Sequence, residues 1–555
     1  MEDFSVLIGG KAGDGINRAG FVIGRILSRM GYRIYMYYDY PSLIRGGHNF
    51  AIVRASRHTG IASHHFTVDC ILALDQATLL RHAGRQTPAT IAIFNSDSVK
   101  AGAPAAGLAV PLETITKEED GISIMANSCL IGAFCRATGI PWDIAATVLG
   151  EEMPRETEKN LSIARRGFDA VQERYILPKR EAPEVPLITG NEAISLGLLQ
   201  AGLDAYVSYP MTPSSGILHF LAEVAGETRL KVIHPESEIA VILMAQGFAF
   251  AGSRTAVGTS GGGFCLMTEG VSMAGMTEVP VTIVVSQRPG PSTGVPTYTA
   301  QGDLAFVLSA GQGEFPRFVF APADPAQAFE WAGRALNLSW KYQVPSFILV
   351  DKTLSEGTFS FDPEEPEWTG EDPIPCWDGT HPYRRYAESE GGVSPICHVP
   401  TAGAVVKVNS YAHDEDGITT EDRDLIARLV EKRMQKSPGM LAEVEALHPV
   451  GISGDPTAST AILCWGSTAG TCREVADIIG LRVVQPVVLS PFPARALRDA
   501  LAGVSRIISV EDNAEGQLAS LAGAHGIDIS AQILRYDGRP HALEELRDRV
   551  LEVGA

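Results

Sequence analysis

Short apolar runs that alternate with longer helical patterns constrain the fold of this chain more than any other feature of its sequence. A strand made almost wholly of apolar residues is buried on both faces, as in a parallel sheet covered by helices. Between these runs, patterns such as residues 17–30 and 238–251 carry apolar residues at helical spacing. The alternation predicts a doubly wound α/β architecture that is repeated along the chain. The predicted strands are residues 4–8, 90–94, 205–208, 279–285, 346–350, 460–464 and 506–510.

Length and composition predict several domains. At 555 residues the chain is too long for one hydrophobic core. A charged, proline-rich stretch at 179–186 predicts a linker, and an acidic stretch at 356–459, rich in Pro, Gly and Trp, predicts a connecting arm. One helix is expected in this arm, at 420–435, because acidic residues precede its apolar residues and basic residues follow them. The predicted domains are residues 1–178, 187–355 and 460–555.

The charge and the cysteines exclude several classes of function. A formal net charge of -20 argues against a nucleic-acid surface, which needs clustered Lys and Arg. No apolar stretch is long enough to span a membrane, and the first residues do not form a signal peptide. The 8 cysteines form no C-x-x-C pair, so neither a disulfide framework nor a zinc or iron–sulfur ligand run is predicted. A cytoplasmic chain with reduced thiols is expected.

Three loops that follow predicted strands carry polar residues suited to a ligand site. Residues 209–215 (YPMTPSS) hold Thr212 between two prolines, which indicates either a ligand contact or the start of a helix. Residues 259–263 (TSGGG) enter another helix. Arg288 opens a loop of Gly and Pro, where a guanidinium suits bidentate capture of a carboxylate. Because such loops meet at one edge of a sheet, a shared pocket is the favoured interpretation.

Two carboxylates lie at the N-terminus of a predicted apolar helix, in residues 234–238 (HPESE). One of them can favour the helix N-terminus. The other, if it faces a dry pocket, would have a raised pKa and could share a proton with a ring nitrogen.

The first strand–helix turn, residues 9–15 (GGKAGDG), is a weaker signal. Its glycines indicate either a phosphate contact or a tight turn. The GDG triplet begins the motif by which thiamine enzymes hold their metal–diphosphate group, but the Asn that completes it is not at the required spacing. A nucleotide-binding module built on this turn is an alternative, with Asp39 as its acidic ribose contact. His48, His64 and His65 have no third ligand at a suitable spacing, so a metal site is not expected there.

Taken as an ordered set, the motifs resemble a known family. The α subunit of 2-oxoacid:ferredoxin oxidoreductases has the same order of motifs, and residues 1–178 resemble the family's γ domain. The resemblance covers nearly the whole chain, with the γ domain fused before the α part. It implies an α/β chain of three domains: γ-type, thiamine-diphosphate-binding pyrimidine-type, and transketolase C-terminal-like. The motifs are residues 8–13 (IGGKAG), 45–47 (RGG), 190–193 (GNEA), 209–215 (YPMTPSS), 236–238 (ESE), 258–263 (GTSGGG), 288–297 (RPGPSTGVPT), 301–304 (QGDL) and 510–518 (VEDNAEGQL).

The resemblance also implies roles for individual residues. Glu238 would bond the N1′ nitrogen of the thiamine aminopyrimidine, and Gly261 and Gly262 would contact the cofactor. Thr212 and Arg288 would bind the carboxylate and keto region of the 2-oxoacid. Thr293 would help to shape the pocket.

A partner is implied as well, because this sequence lacks the full diphosphate motif and a Cys-ligated cluster. Both would lie on a β subunit, together with Mg²⁺ and a [4Fe-4S] cluster. Coenzyme A would be the co-substrate and ferredoxin the electron acceptor, and the α–β pairs would dimerise. The fused layout and the 291–297 run favour 2-oxoglutarate. Pyruvate, branched-chain 2-oxoacids and indolepyruvate are the alternatives, and a non-catalytic nucleotide-binding module or a scaffold subunit would belong to another class.

Two positions depart from the family pattern. Met211 stands where the family has Ile, an apolar change of similar volume that should be mild. Asp14 lies in the first glycine-rich turn, where the family has none, and an added carboxylate disfavours phosphate binding there.

Overall fold

The computed structural model describes residues 3–42, 47–100, 107–364, 366–367 and 370–554. Arg45 and Gly46, two of the residues on which the γ-domain resemblance rests, lie outside this range. The chain forms two compact units. The first consists of residues 1–188, 357–362 and 541–548, and the second of 189–356, 363–540 and 549–555. The finer division into three domains, a linker and an arm stays a prediction.

The helices and strands follow one another in three stretches of the chain. Residues 3–189 form β1 (Asp3–Lys11), α1 (Ile16–Arg29), β2 (Arg33–Asp39), β3 (His48–Ser56), β4 (Val68–Ala73), α2 (Gln76–Arg81), β5 (Gln86–Asn95), β6 (Leu108–Val110), α3 (Leu112–Glu118), α4 (Ala126–Ala137), α5 (Trp142–Glu152), α6 (Thr157–Asp169) and β7 (Leu187–Thr189). Residues 190–360 form α7 (Gly190–Gln200), β8 (Ala205–Ser208), α8 (Ser215–Val224), β9 (Lys231–Ile233), α9 (Glu238–Phe250), β10 (Thr255–Thr259), α10 (Gly261–Thr277), β11 (Val281–Gln287), α11 (Leu304–Ser309), β12 (Phe318–Phe320), α12 (Pro325–Tyr342), β13 (Pro345–Asp351), α13 (Lys352–Glu356) and β14 (Thr358–Ser360). Residues 423–554 form α14 (Arg423–Met434), α15 (Lys436–Ala446), β15 (Val450–Gly454), β16 (Thr460–Cys464), α16 (Thr468–Ile479), β17 (Arg482–Pro486), β18 (Val488–Ser490), α17 (Ala494–Ala500), β19 (Arg506–Glu511), α18 (Gln517–Ala524), β20 (Ala531–Leu534) and α19 (Leu543–Gly554).

The first unit is built on an eight-stranded sheet in the order β6-β5-β4-β1-β3-β2-β14-β7. The half that contains β1, β4, β5 and β6 is parallel, as its apolar runs predict. The other half is antiparallel, because β3 pairs with β1 and β2 in opposite directions. The sheet is therefore mixed, and the apolar runs of the sequence do not predict its antiparallel half.

The second unit contains a seven-stranded sheet in the order β18-β12-β13-β11-β10-β8-β9. It is parallel from β12 to β9, and β18 adds to its edge antiparallel to β12. From β8 the chain passes to β9 on one side and then to β10 on the other. The strand order thus reverses between β8 and β10, and in open α/β sheets such a reversal leaves a crevice at the carboxyl ends of the strands.

A five-stranded sheet in the order β15-β17-β16-β19-β20 closes the second unit. Its edge strand β15 comes from the stretch predicted to be a connecting arm. The expectation of one helix in that stretch is also wrong, because α15 follows α14 directly. Pro438 in α15 indicates a helix end when the sequence is considered alone, yet proline is well tolerated in the first turn of a new helix.

All seven predicted strands are confirmed to within a few residues, and so are the predicted helices α1, α9 and α14. Within the described ranges, we find no helix whose length and hydropathy would let it cross a membrane.

Candidate active site

The predicted site residues meet at the crevice of the seven-stranded sheet. Strands β8, β10 and β11 are neighbours and parallel. Their carboxyl ends therefore bring the loop at 209–214, the start of α10 and the loop at 288–303 to one edge of the sheet. The three loops therefore share one edge of the sheet, and the pocket expected between them stays a prediction.

Arg288 and Thr212 are in direct contact. Nη1 of Arg288 donates a hydrogen bond to the carbonyl oxygen of Thr212 at 2.8 Å. Nε of Arg288 is buried and has no hydrogen-bond partner. Burial lowers the pKa of Arg288, although the nearby carboxylate of Asp303 raises it. A half-buried guanidinium with a spare donor is suited to an anionic ligand such as a carboxylate.

Glu238 is the first residue of α9 and only 4% exposed. Ser237 caps the helix, and its hydroxyl accepts a hydrogen bond from the backbone N–H of Ala240. Oε1 of Glu238 is buried and accepts no hydrogen bond. An unsatisfied buried carboxylate oxygen costs free energy, so a hydrogen-bond donor brought to this atom would stabilise it.

Gly263 leaves room for that carboxylate. A Cβ atom at Gly263 would lie 2.5 Å from Oε1 of Glu238 and 2.2 Å from Oγ1 of Thr259. Any side chain there would displace Glu238. The third glycine of the TSGGG run is therefore required by Glu238, a residue 25 positions earlier in the sequence.

The other predicted residues are placed as follows. A Cβ at Gly261 would lie 2.4 Å from Oδ2 of Asp303, and one at Gly262 would lie 3.4 Å from the carbonyl oxygen of Ser292. Gly261 thus allows close approach of the 288–303 loop to the start of α10, whereas a Cβ at Gly262 would make only ordinary contact. Thr293 is exposed on that loop, and its predicted part in shaping the pocket stays a prediction.

Gln301 connects the loop at 288–303 to residues that follow strands of the five-stranded sheet. The sequence alone gave this residue no role. Nε2 of Gln301 donates to the carbonyl oxygen of Trp465 at 2.7 Å, and Oε1 accepts from the backbone N–H of Asp512 at 2.9 Å. Asp303, two residues later, was also missed. Both residues lie in the QGDL motif, but no local pattern indicates that they are buried or what they contact.

The same region carries an exposed apolar surface, which we call the α9–α10 face. It borders a groove of about 510 Å³ that Phe315 also lines. Large exposed apolar patches in soluble proteins commonly mark interaction surfaces. The face comprises Ile239, Leu243, Met244, Leu266 and Met273, which are 36–51% exposed.

The first strand–helix turn does not provide an open phosphate cradle. Oδ2 of Asp14 accepts a hydrogen bond from the backbone N–H of Lys11 at 2.8 Å. A Cβ at Gly10 would lie 2.9 Å from this carboxylate oxygen. Asp39, the possible ribose contact, accepts a hydrogen bond from the hydroxyl of Tyr37 at 2.9 Å. These contacts disfavour the nucleotide-binding alternative.

The three histidines make contacts within the first unit. Nε2 of His48 lies 2.9 Å from Nε2 of His82. The ring of His64 stacks on that of Tyr37. His65 bonds two carboxylates, Asp3 at 3.1 Å and Glu544 at 2.6 Å. Among the residues that the structure describes, no group of three or more His, Cys, Asp or Glu side chains is arranged to hold a metal ion.

Two family profiles match the chain. One, described as "Pyruvate flavodoxin/ferredoxin oxidoreductase, thiamine diP-bdg", matches residues 196–432 and so includes every predicted site residue. The other, described as "Pyruvate ferredoxin/flavodoxin oxidoreductase", matches residues 5–170.

Individual relatives cover from about two thirds of the chain to all of it. The α subunit of a 2-oxoacid:ferredoxin oxidoreductase from Sulfolobus is 30% identical over 99% of this chain and 96% of its own length. The KorA subunit of a 2-oxoglutarate oxidoreductase from Mycobacterium tuberculosis is 30% identical over 68% of this chain and 60% of its own. A solved structure of 2-oxoglutarate:ferredoxin oxidoreductase from Magnetococcus marinus, with 2-oxoglutarate, coenzyme A and succinyl-CoA bound, superimposes with a TM-score of 0.90 at 26% identity and covers 100% of both chains.

Proposed function

The chain belongs to the 2-oxoacid:ferredoxin oxidoreductase family as an α subunit with a fused γ-type domain, and from this premise we propose that it catalyses the coenzyme A-dependent oxidative decarboxylation of a 2-oxoacid together with a β subunit. The observation that carries the proposal is the buried, unsatisfied Oε1 of Glu238 at the edge of the sheet that also carries the Arg288–Thr212 contact.

The residues around Glu238 fit the aminopyrimidine end of thiamine diphosphate. Oε1 of Glu238 needs a donor, and Gly263 leaves the space for this carboxylate. Glu238 would hold a proton at the N1′ nitrogen of the ring, and Gly261 and Gly262 would let the cofactor approach the start of α10. Thiamine diphosphate, when bound, supplies the carbon nucleophile that attacks the keto carbon and takes up the electrons left behind as CO2 departs.

Arg288 and Thr212 would hold the substrate. The guanidinium has a spare donor at Nε, so it can pair with the carboxylate of a 2-oxoacid while Nη1 keeps its bond to Thr212. Thr293, on the same loop, would line the mouth of the pocket. Since this loop is fixed by Gln301 to the last sheet, the guanidinium is placed before substrate arrives, which reduces the entropy cost of binding.

The β subunit would complete the site. The 8 cysteines include no C-x-x-C pair, and the GDG triplet at 13–15 lacks its Asn, so ligands for an iron–sulfur cluster and for Mg²⁺–diphosphate are expected on the partner. The α9–α10 face begins one residue after Glu238 and offers a surface for such a partner. A dimer of α–β pairs that reduces ferredoxin follows from the family.

We favour 2-oxoglutarate, with succinyl-CoA as product. The support is the fused γ–α layout, the 291–297 run and the likeness to the Magnetococcus marinus enzyme, in which 2-oxoglutarate is bound. Pyruvate, branched-chain 2-oxoacids and indolepyruvate are the alternatives to be assayed beside it.

The test is a dye-reduction assay on the chain co-purified with its β subunit, with coenzyme A and each 2-oxoacid in turn. We expect Glu238→Gln to lower kcat by about 10²-fold or more, because the proton at N1′ of the aminopyrimidine loses its carboxylate partner. We expect Arg288→Ala to raise KM by about 10- to 100-fold through loss of charged hydrogen bonds.

Exposed residues of the same chemistry provide the controls. Glu236→Gln changes an exposed carboxylate two residues from Glu238, and Arg423→Ala changes an arginine whose side chain is 92% exposed. Both should leave the rate unchanged. The proposed roles are wrong if Glu238→Gln keeps the wild-type rate. They are also wrong if an α–β complex that carries thiamine diphosphate and its iron–sulfur cluster turns over no 2-oxoacid.

A further inference from the structure

Residues 535–540, which follow strand β20, lie against the loop at 288–303. The backbone N–H of Thr299 donates a hydrogen bond to the carbonyl oxygen of Gly538 at 3.1 Å. Gly538 has a φ of +79°, and a Cβ atom there would lie 3.5 Å from Cγ of Pro289. Because Pro289 and Thr299 lie on opposite sides of the exposed tip of the loop, the segment at 535–540 contacts both arms of the loop.

Arg539 contacts the same loop with its side chain. Its guanidinium carbon, Cζ, lies 3.8 Å from the centre of the half-buried Tyr298 ring. A cation over the face of an aromatic ring at this distance is attracted by the negative charge of that face, and a planar guanidinium also stacks on the ring. The contact therefore favours one position of Tyr298 and of the loop that carries it.

Asp537 fixes the segment from which Arg539 projects. Its carboxylate accepts hydrogen bonds from Nε of Arg535 at 2.9 Å and from Nη2 of Arg535 at 3.1 Å. It also accepts one from the backbone N–H of Arg539 at 3.0 Å. The backbone N–H of Arg535 in turn donates to the carbonyl oxygen of Glu511, the last residue of β19, at 3.0 Å. Arg539 thus reaches the loop from a segment that is attached to the five-stranded sheet.

We propose that Arg539 is a positioning residue for the substrate site, which acts through Tyr298 to hold the loop in the form that presents Arg288 to the 2-oxoacid. This proposal rests on the proposed function and adds a residue to it. The exposed tip at 290–295 separates Arg288 from the anchor at Gln301. The position of the guanidinium therefore depends on how firmly the residues between them are held. Loosening them lowers the fraction of molecules that are competent to bind substrate, and the apparent affinity falls by the same factor.

The test is the KM of the complete α–β complex for the 2-oxoacid that the wild type uses best, measured with saturating coenzyme A. We expect Arg539→Ala to raise KM by about three- to tenfold, the range that the loss of a cation–π contact allows. The value of kcat should change little, because Arg539 is not placed at the reacting groups. Arg539→Lys keeps a cation over the ring and should restore part of the affinity. Arg495→Ala, which removes an arginine side chain that is 79% exposed on α17, should keep the wild-type KM.

A double-mutant cycle tests whether Arg539 acts through Tyr298. Tyr298→Leu should raise KM as Arg539→Ala does, and the two changes together should raise it no further than one alone, because they remove the same contact. Hydrogen exchange of the intact complex gives a readout besides activity. The amide of Thr299 should exchange faster in Arg539→Ala than in the wild type, since the loop that it belongs to opens more often.

The proposal is overturned if Arg539→Ala keeps the wild-type KM, or if its effect multiplies with that of Tyr298→Leu. A fall in kcat at unchanged KM would also overturn it, because that result indicates a merely structural residue. An unchanged KM in an active complex removes only the role of Arg539. If the wild-type complex carries its cofactors and turns over no 2-oxoacid, the proposed function fails and this proposal fails with it.

Discussion

At the scale of single residues, the site depends on a glycine that makes room for a carboxylate. Gly263→Ala would place a Cβ 2.5 Å from Oε1 of Glu238 and 2.2 Å from Oγ1 of Thr259. Because the carboxylate must move, we expect the α–β complex to retain less thiamine diphosphate and to lose at least about tenfold in rate, as expected when a positioned proton-transfer group is displaced. Cofactor content after gel filtration and kcat are the measurements.

Gly523→Ala is the matched control for this substitution. Gly523 is exposed in α18, and a Cβ there would meet no atom within 4 Å. The free energy of unfolding should rise by up to about 1 kcal/mol, because alanine has the higher helix propensity, and cofactor content should not change. Equal cofactor content in the two variants would contradict the role assigned to Gly263.

At the scale of elements, a buried ion cluster fastens the helices of the predicted arm to the end of α10. Glu278, 1% exposed, pairs with Nζ of Lys432 at 2.9 Å and with Nζ of Lys436 at 2.6 Å. Nη2 of Arg385 donates to the backbone carbonyl oxygen of Glu278 at 2.6 Å. Burial lowers the pKa of Lys436 to about 8, although Glu278 raises it. The two lysines on α14 and α15 thus depend on one carboxylate for their charge compensation.

Glu278→Gln would leave two buried ammonium groups without a counter-charge. We expect the free energy of unfolding to fall by about 3–5 kcal/mol, the usual cost of breaking a buried ion pair on one side. The free energy of unfolding is measured by urea denaturation, followed through the tryptophan fluorescence of the second unit. Glu388→Gln, which removes an exposed partner of Arg428, should cost less than about 1 kcal/mol. Similar losses of unfolding free energy for the two variants would show that the Glu278 ion cluster is not the main attachment of α14 and α15 to the end of α10.

At the scale of the whole molecule, the α9–α10 face is the surface on which we propose that the β subunit docks. Leu243 is 45% exposed on this face. Leu243→Asp should reduce co-purification of the β subunit and with it the activity, because a carboxylate would be buried in an apolar interface. The fold and Tm of the chain alone should be unchanged, since Leu243 is exposed there.

Ile478→Asp is the control for the partner surface. Ile478 is 55% exposed on α16, away from the α9–α10 face, and its substitution should leave the β subunit bound. If Leu243→Asp binds the β subunit as well as the wild type does, the partner docks elsewhere.

The sequence predicted the parts of this protein that depend on local pattern. Apolar runs of strand length and helical periodicity are properties of neighbouring residues, and they predicted the strands and the α/β class. The strand-end loops containing Thr212 and Arg288 could be predicted for the same reason, because parallel strands place their following loops at one edge. The charged residues before an apolar helix marked the 234–238 segment, and the family resemblance singled out Glu238 within it.

Only the tertiary structure decided what depends on distant residues. The antiparallel half of the first sheet, β15 as an edge strand and α15 directly after α14 follow from packing that no short window contains. The unsatisfied Oε1 of Glu238 exists because segments far apart in sequence exclude water around it. Burial decides which polar groups are available for chemistry, and burial is a property of the folded chain.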